Sequence, residues 1–282
     1  MNISIICPLY NAEKYIIDLD KNIKMQKNVD IESIKYMLTE SIDNTQYILK
    51  KINANYDLIK KEDFSHSLTR EKAAMKSNGD IIVFITQDIK IKDKFWLYNL
   101  VRGIISKNCE AAFSRQICEN NSIEKYIREK NYPDKERIVS KKDVSNLGLM
   151  AFFFSDASSA IRSDVFKKLN GYDNKDLIIN EDMYIAYKLI NNGYRIKYCS
   201  DSVIIHFHKF TLNQLYKRYC DIGKFFRQNS YLKSYKATSS GLELAKYVLK
   251  RSIQEKNIKV LFYLPINFAA RFVGMNVGKM KI

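Results

Sequence analysis

The most constraining feature of this sequence is a run of five apolar residues that ends close to a carboxylate. Residues 81–85 read IIVFI without a break, and Thr86, Gln87 and Asp88 follow directly. A short continuous apolar run predicts a strand buried on both faces, as in the parallel sheet of an α/β fold. Such sheets bind ligands at the carboxyl ends of their strands, so Asp88 is placed to hold a ligand, although an Asp at a strand end is also a common turn residue.

Strand and helix patterns alternate along the first part of the chain. Short apolar runs predict four strands, and a segment with helical spacing of apolar residues follows each of them. The predicted strands are 3–7, 34–38, 56–59 and 81–85, and the predicted helices are 12–25, 45–52, 67–77 and 95–106. This order predicts an α/β fold with a mostly parallel sheet that is covered by helices.

The second part of the chain is less regular. We expect strands at 110–113, 195–199 and 203–208, helices at 123–130, 163–169 and 181–191, and a polar loop at 135–145. A helix capped by Thr211, a polar linker at 234–241 and a second amphipathic helix at 242–253 follow. The sequence therefore predicts a sheet domain over residues 1–210 and a helical extension over residues 211–282.

The cysteines and the pattern of apolar residues indicate in which cellular compartment we expect the protein. The five cysteines include no close pair, which argues against a disulfide framework and a zinc site and favours reduced, cytosolic thiols. The chain starts with an apolar strand pattern and has no signal-peptide pattern. The apolar stretch 260–275 is interrupted by Pro265, Asn267 and Arg271, so we expect no membrane span there.

The positive charge of the chain is concentrated near its end. Residues 206–282 contain 15 Lys and Arg against 3 Asp and Glu, which is a net charge of +12 out of +16 for the whole sequence. A basic segment of this kind suits an anionic membrane surface, an anionic substrate or nucleic acid. Charge alone leaves all three partners open.

Three further groups of residues are candidates for chemistry. Glu181 and Asp182 open a predicted helix, where acidic residues serve as helix caps or, at a sheet rim, as a general base. His206 and His208 lie two apart on a predicted strand and point to the same side, so they are either a surface pair or joint ligands of a phosphate or metal. Arg70 lies in a predicted helix, where it is either solvated or a phosphate clamp.

Seven segments resemble, in order, the motifs of one enzyme family. They read SIICPLYN at 4–11, LTESIDNT at 38–45, HSLTREKAA at 66–74, FITQD at 84–88, SDASSAIR at 155–162, NED at 180–182 and VIIHFH at 203–208. In this order they resemble the family 2 glycosyltransferases of the GT-A fold, in particular the bacterial rhamnosyltransferase branch. The resemblance extends from residue 4 to about residue 227.

The resemblance implies a Rossmann-like GT-A domain, with a nucleotide-sugar half at about 1–110 and an acceptor half at about 111–210. It implies an inverting sugar transfer in which Asp182 takes the proton of the acceptor hydroxyl, with Glu181 as a second candidate, and in which Mg²⁺ or Mn²⁺ is the cofactor. The implied metal ligands are Asp88, His206 and His208. The implied nucleotide-sugar contacts are Pro8, Tyr10, Asn11, Thr39, Arg70, Gln87 and Asp88, and the implied acceptor contacts are Arg115, Gln116 and Tyr132.

Two departures from the family pattern bear on the donor sugar. Thr39 and Glu40 stand where the family has paired aspartates, and Thr86-Gln87-Asp88 stands where the family has a DxD motif. The rhamnosyltransferase branch tolerates this reduced motif, which implies dTDP-rhamnose as the donor. The basic, aromatic end of the chain implies a lipid-linked glycan acceptor at the inner face of the cytoplasmic membrane, in cell-surface polysaccharide assembly.

Three alternatives to this function are kept. A glycosyltransferase that uses a UDP- or GDP-sugar predicts the same fold with another donor. A catalytically silent protein of the same fold would explain the reduced DxD motif. A nucleic-acid-binding protein would explain the charge of +16, and would make Asp88, Glu181 and Asp182 dispensable.

Overall fold

The structure is a computed structural model, and it describes residues 1–235 and 240–280. The strands are β1 Asn2–Leu9, β2 Asp30–Thr39, β3 Asn55–Ile59, β4 Ile81–Ile85, β5 Lys90–Ile91, β6 Ala111–Ile117, β7 Arg137–Val139, β8 Ser158–Arg162 and β9 Ile196–Ile205. The helices are α1 Ile16–Lys24, α2 Thr45–Lys51, α3 His66–Met75, α4 Trp96–Ile105, α5 Ile123–Asn131, α6 Val144–Leu147, α7 Ser163–Lys168, α8 Glu181–Asn191, α9 Leu212–Gln228, α10 Ser240–Gln254 and α11 Ile258–Lys279. Residues 236–239 of the predicted linker lie outside the described residues.

One sheet of nine strands organises the described part of the chain. Its order is β3-β2-β1-β4-β8-β6-β9-β5, and β7 pairs with β9. β1 to β4 are parallel, β8 is antiparallel to both β4 and β6, and β6 and β9 are parallel to each other. Because β8 enters in the opposite direction, six strands (β1 to β4, β6 and β9) share one direction, as the sequence predicts.

The central strand β4 is buried on both faces, as its composition predicts. Ile81, Val83 and Ile85 belong to one hydrophobic core, which includes the apolar faces of α1 and α4. Ile82 and Phe84 belong to a second core on the other face, which includes residues of α7 and α8. Layers of helices therefore cover both sides of the sheet, and the ligand-binding edge lies at the carboxyl ends of the parallel strands.

The structure corrects three sequence expectations in the second half. β8 (Ser158–Arg162) was not predicted, because its serine-rich sequence lacks an apolar run, and β7 lies within the predicted polar loop 135–145. The two strands predicted at 195–199 and 203–208 are one strand, β9. His206 and His208 therefore follow the end of a strand instead of sharing one of its faces.

The C-terminal helices pack against one another at very short range. A Cβ atom on Gly278 would lie 2.0 Å from the carbonyl oxygen of Cys220, and one on Gly274 would lie 2.5 Å from that of Tyr216. Only glycine permits this approach of α11 to α9. Val248 of α10 and Val260 and Leu264 of α11 join residues of α5 in a third apolar cluster.

The interruptions at Pro265, Asn267 and Arg271 do not end α11. Within the described residues, α11 is the one helix that is long and apolar enough to cross a membrane, with a mean hydropathy of 1.3 in its most apolar window. Only 22 % of that window is buried inside the protein. Length and composition alone are weak evidence of a span, because buried helices of soluble proteins pass the same test.

Candidate active site

A cleft of about 690 Å³ lies at the carboxyl ends of β1, β2 and β4. Its lining falls into two sets. Four uncharged residues, Pro8, Tyr10, Thr39 and Gln87, are named the uncharged wall for their chemistry, and the Lys61 side chain also lines the cleft next to Tyr10. The charged wall consists of Asp88, Asp182, His206, His208 and Arg218. The neighbouring residues Gln87 and Asp88 thus belong to different walls, and the site predicted from the sequence lies at the predicted edge of the sheet.

Gln87 holds the uncharged wall together through the backbone of Tyr10. Its Oε1 accepts a hydrogen bond from the Tyr10 amide at 2.7 Å, and its Nε2 donates to the Tyr10 carbonyl at 2.9 Å. A carboxylate in this position has no proton to donate to the carbonyl, so the amide side chain suits both bonds. The ring of Tyr10 is left partly exposed, with the Lys61 Nζ atom 5.7 Å from its centre.

Thr39 and Asn11 have different positions from each other, although both were expected to contact the nucleotide sugar. Thr39 lines the cleft, and its buried hydroxyl has no hydrogen-bond partner among the described residues. Asn11 does not line the cleft. Its Oδ1 accepts a hydrogen bond from Ile42 N at 3.1 Å, so Asn11 connects the loop after β1 to the loop after β2.

Asp88, His206 and His208 form a cluster in which one ligand atom from each residue lies within 4.8 Å of the others. Asp88 Oδ1 is 3.5 Å from His206 Nε2, and Asp88 Oδ2 is 3.6 Å from His208 Nδ1. His206 Nε2 is buried and has no hydrogen-bond partner within the described part of the chain. An unsatisfied nitrogen facing a carboxylate and a second imidazole fits a divalent cation that accepts nitrogen and oxygen ligands.

Gln116 fixes which nitrogen of His206 carries its proton. Gln116 Oε1 accepts a hydrogen bond from Arg128 Nη1 at 2.5 Å and lies 2.9 Å from His206 Nδ1. Because an amide oxygen only accepts, Nδ1 must donate to it, and the lone pair of Nε2 faces Asp88. Gln116 is itself buried, so it supports the cluster from behind.

The protonation of the cluster also suits metal binding. Burial and the neighbouring His206 lower the pKa of His208 to about 4, which leaves its ring neutral near pH 7. Burial alone would raise the pKa of Asp88, but the nearby His206 and His208 outweigh burial and lower this pKa to about 2. The charged carboxylate of Asp88 and the neutral imidazole of His208 are forms that bind metals.

Glu181 and Asp182 are adjacent in sequence but have different partners. Asn180 precedes α8 with a left-handed φ of 61°, and the helix begins at Glu181. Glu181 is paired with the buried Arg70, whose Nη1 lies 3.2 Å from Glu181 Oε1. Asp182 forms no ion pair among the described residues, and its Oδ1 accepts a hydrogen bond from the Met183 amide at 2.7 Å. Arg70 lines the cleft, although its Nη1 is engaged with Glu181 and with the carbonyl of His66.

Burial, together with the negative charges of Glu181 and Asp156, raises the pKa of Asp182 well above its usual range. Asp156 lies just before β8 and is fully buried, where its carboxylate accepts hydrogen bonds from Ser159 Oγ at 2.6 Å and from Tyr172 OH at 2.7 Å. Asp182 is therefore a carboxyl group with high proton affinity that faces the cleft without a cation of its own. This is the property required of a general base.

Arg218 is a cleft residue that sequence reasoning missed. It lies on α9, in the predicted extension, and its guanidinium carbon is 5.7 Å from the centre of the Phe210 ring. Arg218 forms no ion pair within the described residues, so the cleft contains a cation that is free to bind an anion. Only the fold could reveal it, because Arg218 is one of many basic residues after position 205.

The three residues expected to contact the acceptor do not line the cleft. Tyr132 is buried among the rings of Phe113, Phe153 and Tyr198. Gln116 is buried behind His206, and Arg115 is partly buried next to it on β6. In the structure, Tyr132 lies in this aromatic core, and Gln116 lies behind the Asp–His cluster, where it also donates a hydrogen bond to Ser155 Oγ at 2.8 Å.

Comparisons with known proteins identify the family. Residues 4–170 match the family model of Glycosyl transferase family 2. The chain belongs to glycosyl transferase family 2. Family membership selects the enzyme over the nucleic-acid-binding alternative, and it confirms that the ordered motifs, taken together, identify a glycosyltransferase.

Two relatives of this family 2 glycosyltransferase are named as O-antigen chain rhamnosyltransferases. WbaN of Salmonella anatum is 32 % identical over 247 residues, which cover 86 % of this chain and 78 % of WbaN. RfbN of Salmonella typhimurium is 30 % identical over 286 residues, which cover 99 % of this chain and 90 % of RfbN. The resemblance to the rhamnosyltransferase branch is thus confirmed over most of the chain.

A solved structure confirms the GT-A fold. The mannosyltransferase PcManGT from Pyrobaculum calidifontis, in complex with GDP-Man and Mn²⁺, superposes with a TM-score of 0.62. The superposition covers 99 % of this chain and 88 % of PcManGT, at 15 % sequence identity. At this identity the likeness establishes the fold alone.

Proposed function

We propose that this glycosyltransferase moves rhamnose from dTDP-rhamnose onto a lipid-linked glycan acceptor during cell-surface polysaccharide assembly, with inversion at the anomeric carbon. One observation carries the proposal: a single cleft contains both the Asp88–His206–His208 cluster and the unpaired carboxyl group of Asp182. The first suits a metal-bound diphosphate and the second suits a hydroxyl nucleophile. The two Salmonella relatives support rhamnose as the sugar.

The uncharged wall would bind the nucleoside. The exposed ring of Tyr10 offers a face for stacking, and the unpartnered Thr39 hydroxyl can hydrogen-bond a base or sugar oxygen. Because Thr39 replaces an aspartate of the family pattern, this wall lacks a carboxylate that would favour particular donor groups on the base. The two rhamnosyltransferase relatives support dTDP-rhamnose as the donor, and a UDP- or GDP-sugar donor is the second candidate.

Asp88, His206 and His208 would hold Mg²⁺ or Mn²⁺. When bound, the cation supplies positive charge that stabilises the diphosphate as it becomes the leaving group. Arg218 lies in the same wall and would contribute a further positive charge through hydrogen bonds to phosphate oxygens. Arg70 would act indirectly, because its pairing with Glu181 fixes the beginning of α8 and so the position of Asp182.

Asp182 would take the proton of the acceptor hydroxyl. The acceptor oxygen forms the new bond to the anomeric carbon while the bond from that carbon to the diphosphate oxygen breaks. The hydroxyl proton passes to the Asp182 carboxylate, and the bonding electron pair leaves with the dTDP. The displacement inverts the configuration because attack and departure occur on opposite faces of the sugar.

Nucleotide binding distinguishes the donor candidates. Thermal unfolding is measured with dTDP, UDP and GDP, each with and without Mn²⁺. We expect dTDP with Mn²⁺ to raise the Tm most, because a ligand that binds only the folded state stabilises it in proportion to its affinity. A larger shift with UDP or GDP would contradict the proposed donor.

Turnover distinguishes the enzyme from a catalytically silent member of the family. The protein is incubated with dTDP-rhamnose, Mn²⁺ and a lipid-diphosphate-linked glycan, and released dTDP and extended glycan are measured. We expect both products in equal amounts. A catalytic function would be contradicted if dTDP-, UDP- and GDP-sugars all failed to release their nucleoside diphosphate.

A further inference from the structure

α11 has an unusual distribution of polar and apolar side chains. Its first turns bury Val260 and Leu264 against the rest of the protein, as an ordinary amphipathic helix does. From Asn267 onward, its fully buried residues are Asn267, Gly274 and Gly278, and Phe268 is partly buried against the third apolar cluster, whereas Phe272 and Val273 are exposed. A helix that buries polar residues and exposes aromatic ones is adapted to an apolar environment on its outer side.

The outward face of α11 is one continuous apolar stripe. It consists of Ile258, Phe262, Ile266, Ala269, Phe272 and Val273, which recur at helical spacing. Phe262 and Phe272 are 79 % and 72 % exposed. The stripe extends over most of a 22-residue helix, which is about 33 Å long. Exposed apolar side chains in such an arrangement indicate a binding surface instead of chance exposure.

Charged residues at the stripe are positive. α11 contains no Asp or Glu, and the exposed Lys259 and Lys279 lie near its two ends. On α10, the exposed Lys246 and Lys250, together with the exposed Glu243, lie among exposed Leu242, Leu249 and Ile253. Apolar side chains flanked by lysines complement a bilayer surface with anionic headgroups, because the apolar groups enter the acyl boundary while the lysines pair with the headgroups.

Arg271 holds α11 in its present orientation. Its guanidinium donates to Glu124 Oε1 at 3.0 Å, to Tyr219 OH at 2.6 Å and to Asn267 Oδ1 at 2.7 Å. A helix that crossed the bilayer would separate Arg271 from Glu124 of α5 or take both into hydrocarbon, which is costly for charged groups. This pairing favours a helix that lies along the membrane surface over one that spans the membrane.

We propose that α11 docks lengthwise on an anionic lipid surface through this stripe, with α10 contributing further contacts. The inference deepens the proposed function and rests on it for the lipid-linked nature of the acceptor. Gly274 of α11 packs against the Tyr216 carbonyl of α9, and Arg218, two residues further along α9, lines the cleft. Because residues two apart on a helix point to nearly opposite sides, docking leaves α9 between α11 and the charged wall of the cleft. The charged wall would then lie about two helix diameters, or ~20 Å, from the surface from which a lipid-linked acceptor extends.

Vesicle binding tests the surface. The full chain is sedimented with phosphatidylcholine vesicles that contain or lack phosphatidylglycerol. We expect the double variant Phe262→Gln/Phe272→Gln to bind the anionic vesicles at least about tenfold more weakly than wild type, because two buried aromatic contacts are lost. The matched control is Ile42→Gln/Tyr47→Gln, whose exposed side chains lie on the N-terminal half, and it should bind as wild type does.

Fluorescence distinguishes lengthwise docking from a span. Trp96 is the one tryptophan of the sequence and is buried, so it gives a constant background. In Phe262→Trp and Phe272→Trp, the new indoles are about 15 Å apart along the helix. Lengthwise docking predicts that lipids with quenchers at different depths quench both indoles at the same shallow depth. A large difference in depth between the two would overturn the proposal.

Three further outcomes decide the proposal. Equal vesicle binding by wild type and the Phe262→Gln/Phe272→Gln variant would overturn it. A wild-type dimer in solution that the same variant dissociates, together with no vesicle binding, would also overturn it and assign the stripe to a second copy of the chain. Vesicle binding that needs the two phenylalanines, in a protein that releases no dTDP from dTDP-rhamnose, would support the docking surface while the proposed function fails.

Discussion

The two walls of the cleft differ in the chemistry that their side chains can perform. The uncharged wall of Pro8, Tyr10, Thr39 and Gln87 offers an aromatic face, a hydroxyl group and a fixed backbone. The charged wall of Asp88, Asp182, His206, His208 and Arg218 offers metal ligands, a proton acceptor and a free cation. We expect donor recognition and the transfer reaction to be divided between these two sets of residues, with the division between the neighbouring residues Gln87 and Asp88.

The division between the two walls predicts which kinetic parameter each substitution changes and how large the change is. Substitutions in the charged wall should lower the rate of transfer at saturating donor concentration. Substitutions in the uncharged wall should raise the donor KM and leave kcat nearly unchanged, because they remove binding that is equal in the ground state and the transition state.

The largest effect is expected for Asp182→Asn. The amide retains the shape of the side chain but cannot accept the proton, so kcat should fall about 10³-fold while the Tm shift caused by dTDP is retained. Asp164→Asn is the matched control, since Asp164 is exposed and pairs with Arg162 away from the cleft. If Asp182→Asn transferred the sugar within a few-fold of the wild-type rate, Asp182 would not be the general base. Glu181→Gln is unsuitable as a control because it leaves the buried Arg70 unpaired.

A smaller effect is expected for Gln116→Leu, which removes the hydrogen-bond acceptor of His206 Nδ1. Supporting residues of this kind orient metal ligands, so we expect the affinity for Mn²⁺ to fall about 10- to 100-fold in a calorimetric titration with dTDP present. Gln116→Glu should restore it, because the carboxylate also accepts from His206 and Arg128. If the Mn²⁺ affinity were unchanged and the KM for the acceptor glycan were raised, Gln116 would have the role expected from the sequence, which is contact with the acceptor glycan.

In the uncharged wall, Gln87→Leu removes both hydrogen bonds to the Tyr10 backbone. The loop after β1 would lose its fixed position, so we expect the donor KM to rise about tenfold with kcat changed less than twofold, which corresponds to a loss of about 1.4 kcal/mol of binding. Gln46→Leu, an amide outside the cleft, is the control. A fall in kcat without a change in KM would show that this wall takes part in the reaction.

The smallest effect is expected for Thr39→Val, which keeps the branched shape and removes the unpartnered hydroxyl group. One neutral hydrogen bond contributes about 0.5–1.5 kcal/mol, so the donor KM should rise only a few-fold. Thr39→Ser should retain most of the affinity. An unchanged KM in Thr39→Val would show that the donor does not reach the end of β2.

The two halves of the chain also differ in how far the sequence predicts them. The strands β1 to β4 and the position of Asp88 follow from apolar runs and turn residues, because each strand is specified by its own composition. The strand β8 and the burial of Tyr132 do not, because they depend on which neighbours the sheet provides. The sequence places His206 and His208 in one group, but their approach to Asp88 depends on β9 ending at Ile205.

The C-terminal helices show most clearly which features cannot be predicted from the sequence. The periodicity of α9 and its Thr211 cap are confirmed, with a capping box to Gln214. The positions of Arg218 in the cleft and of Arg271 facing Glu124 cannot be read from periodicity, since the same pattern fits a helix packed in any orientation. Glycines at 223, 274 and 278 are the one local signal of the close packing between α9 and α11.

The stereochemistry of the product tests the central claim most directly. We expect NMR of the glycan formed from dTDP-rhamnose to show an anomeric configuration opposite to that of the donor, because the hydroxyl activated by Asp182 attacks directly. A product that retains the configuration of the donor would require a different reaction course, and it would contradict the assignment of the charged wall as the site of a single displacement.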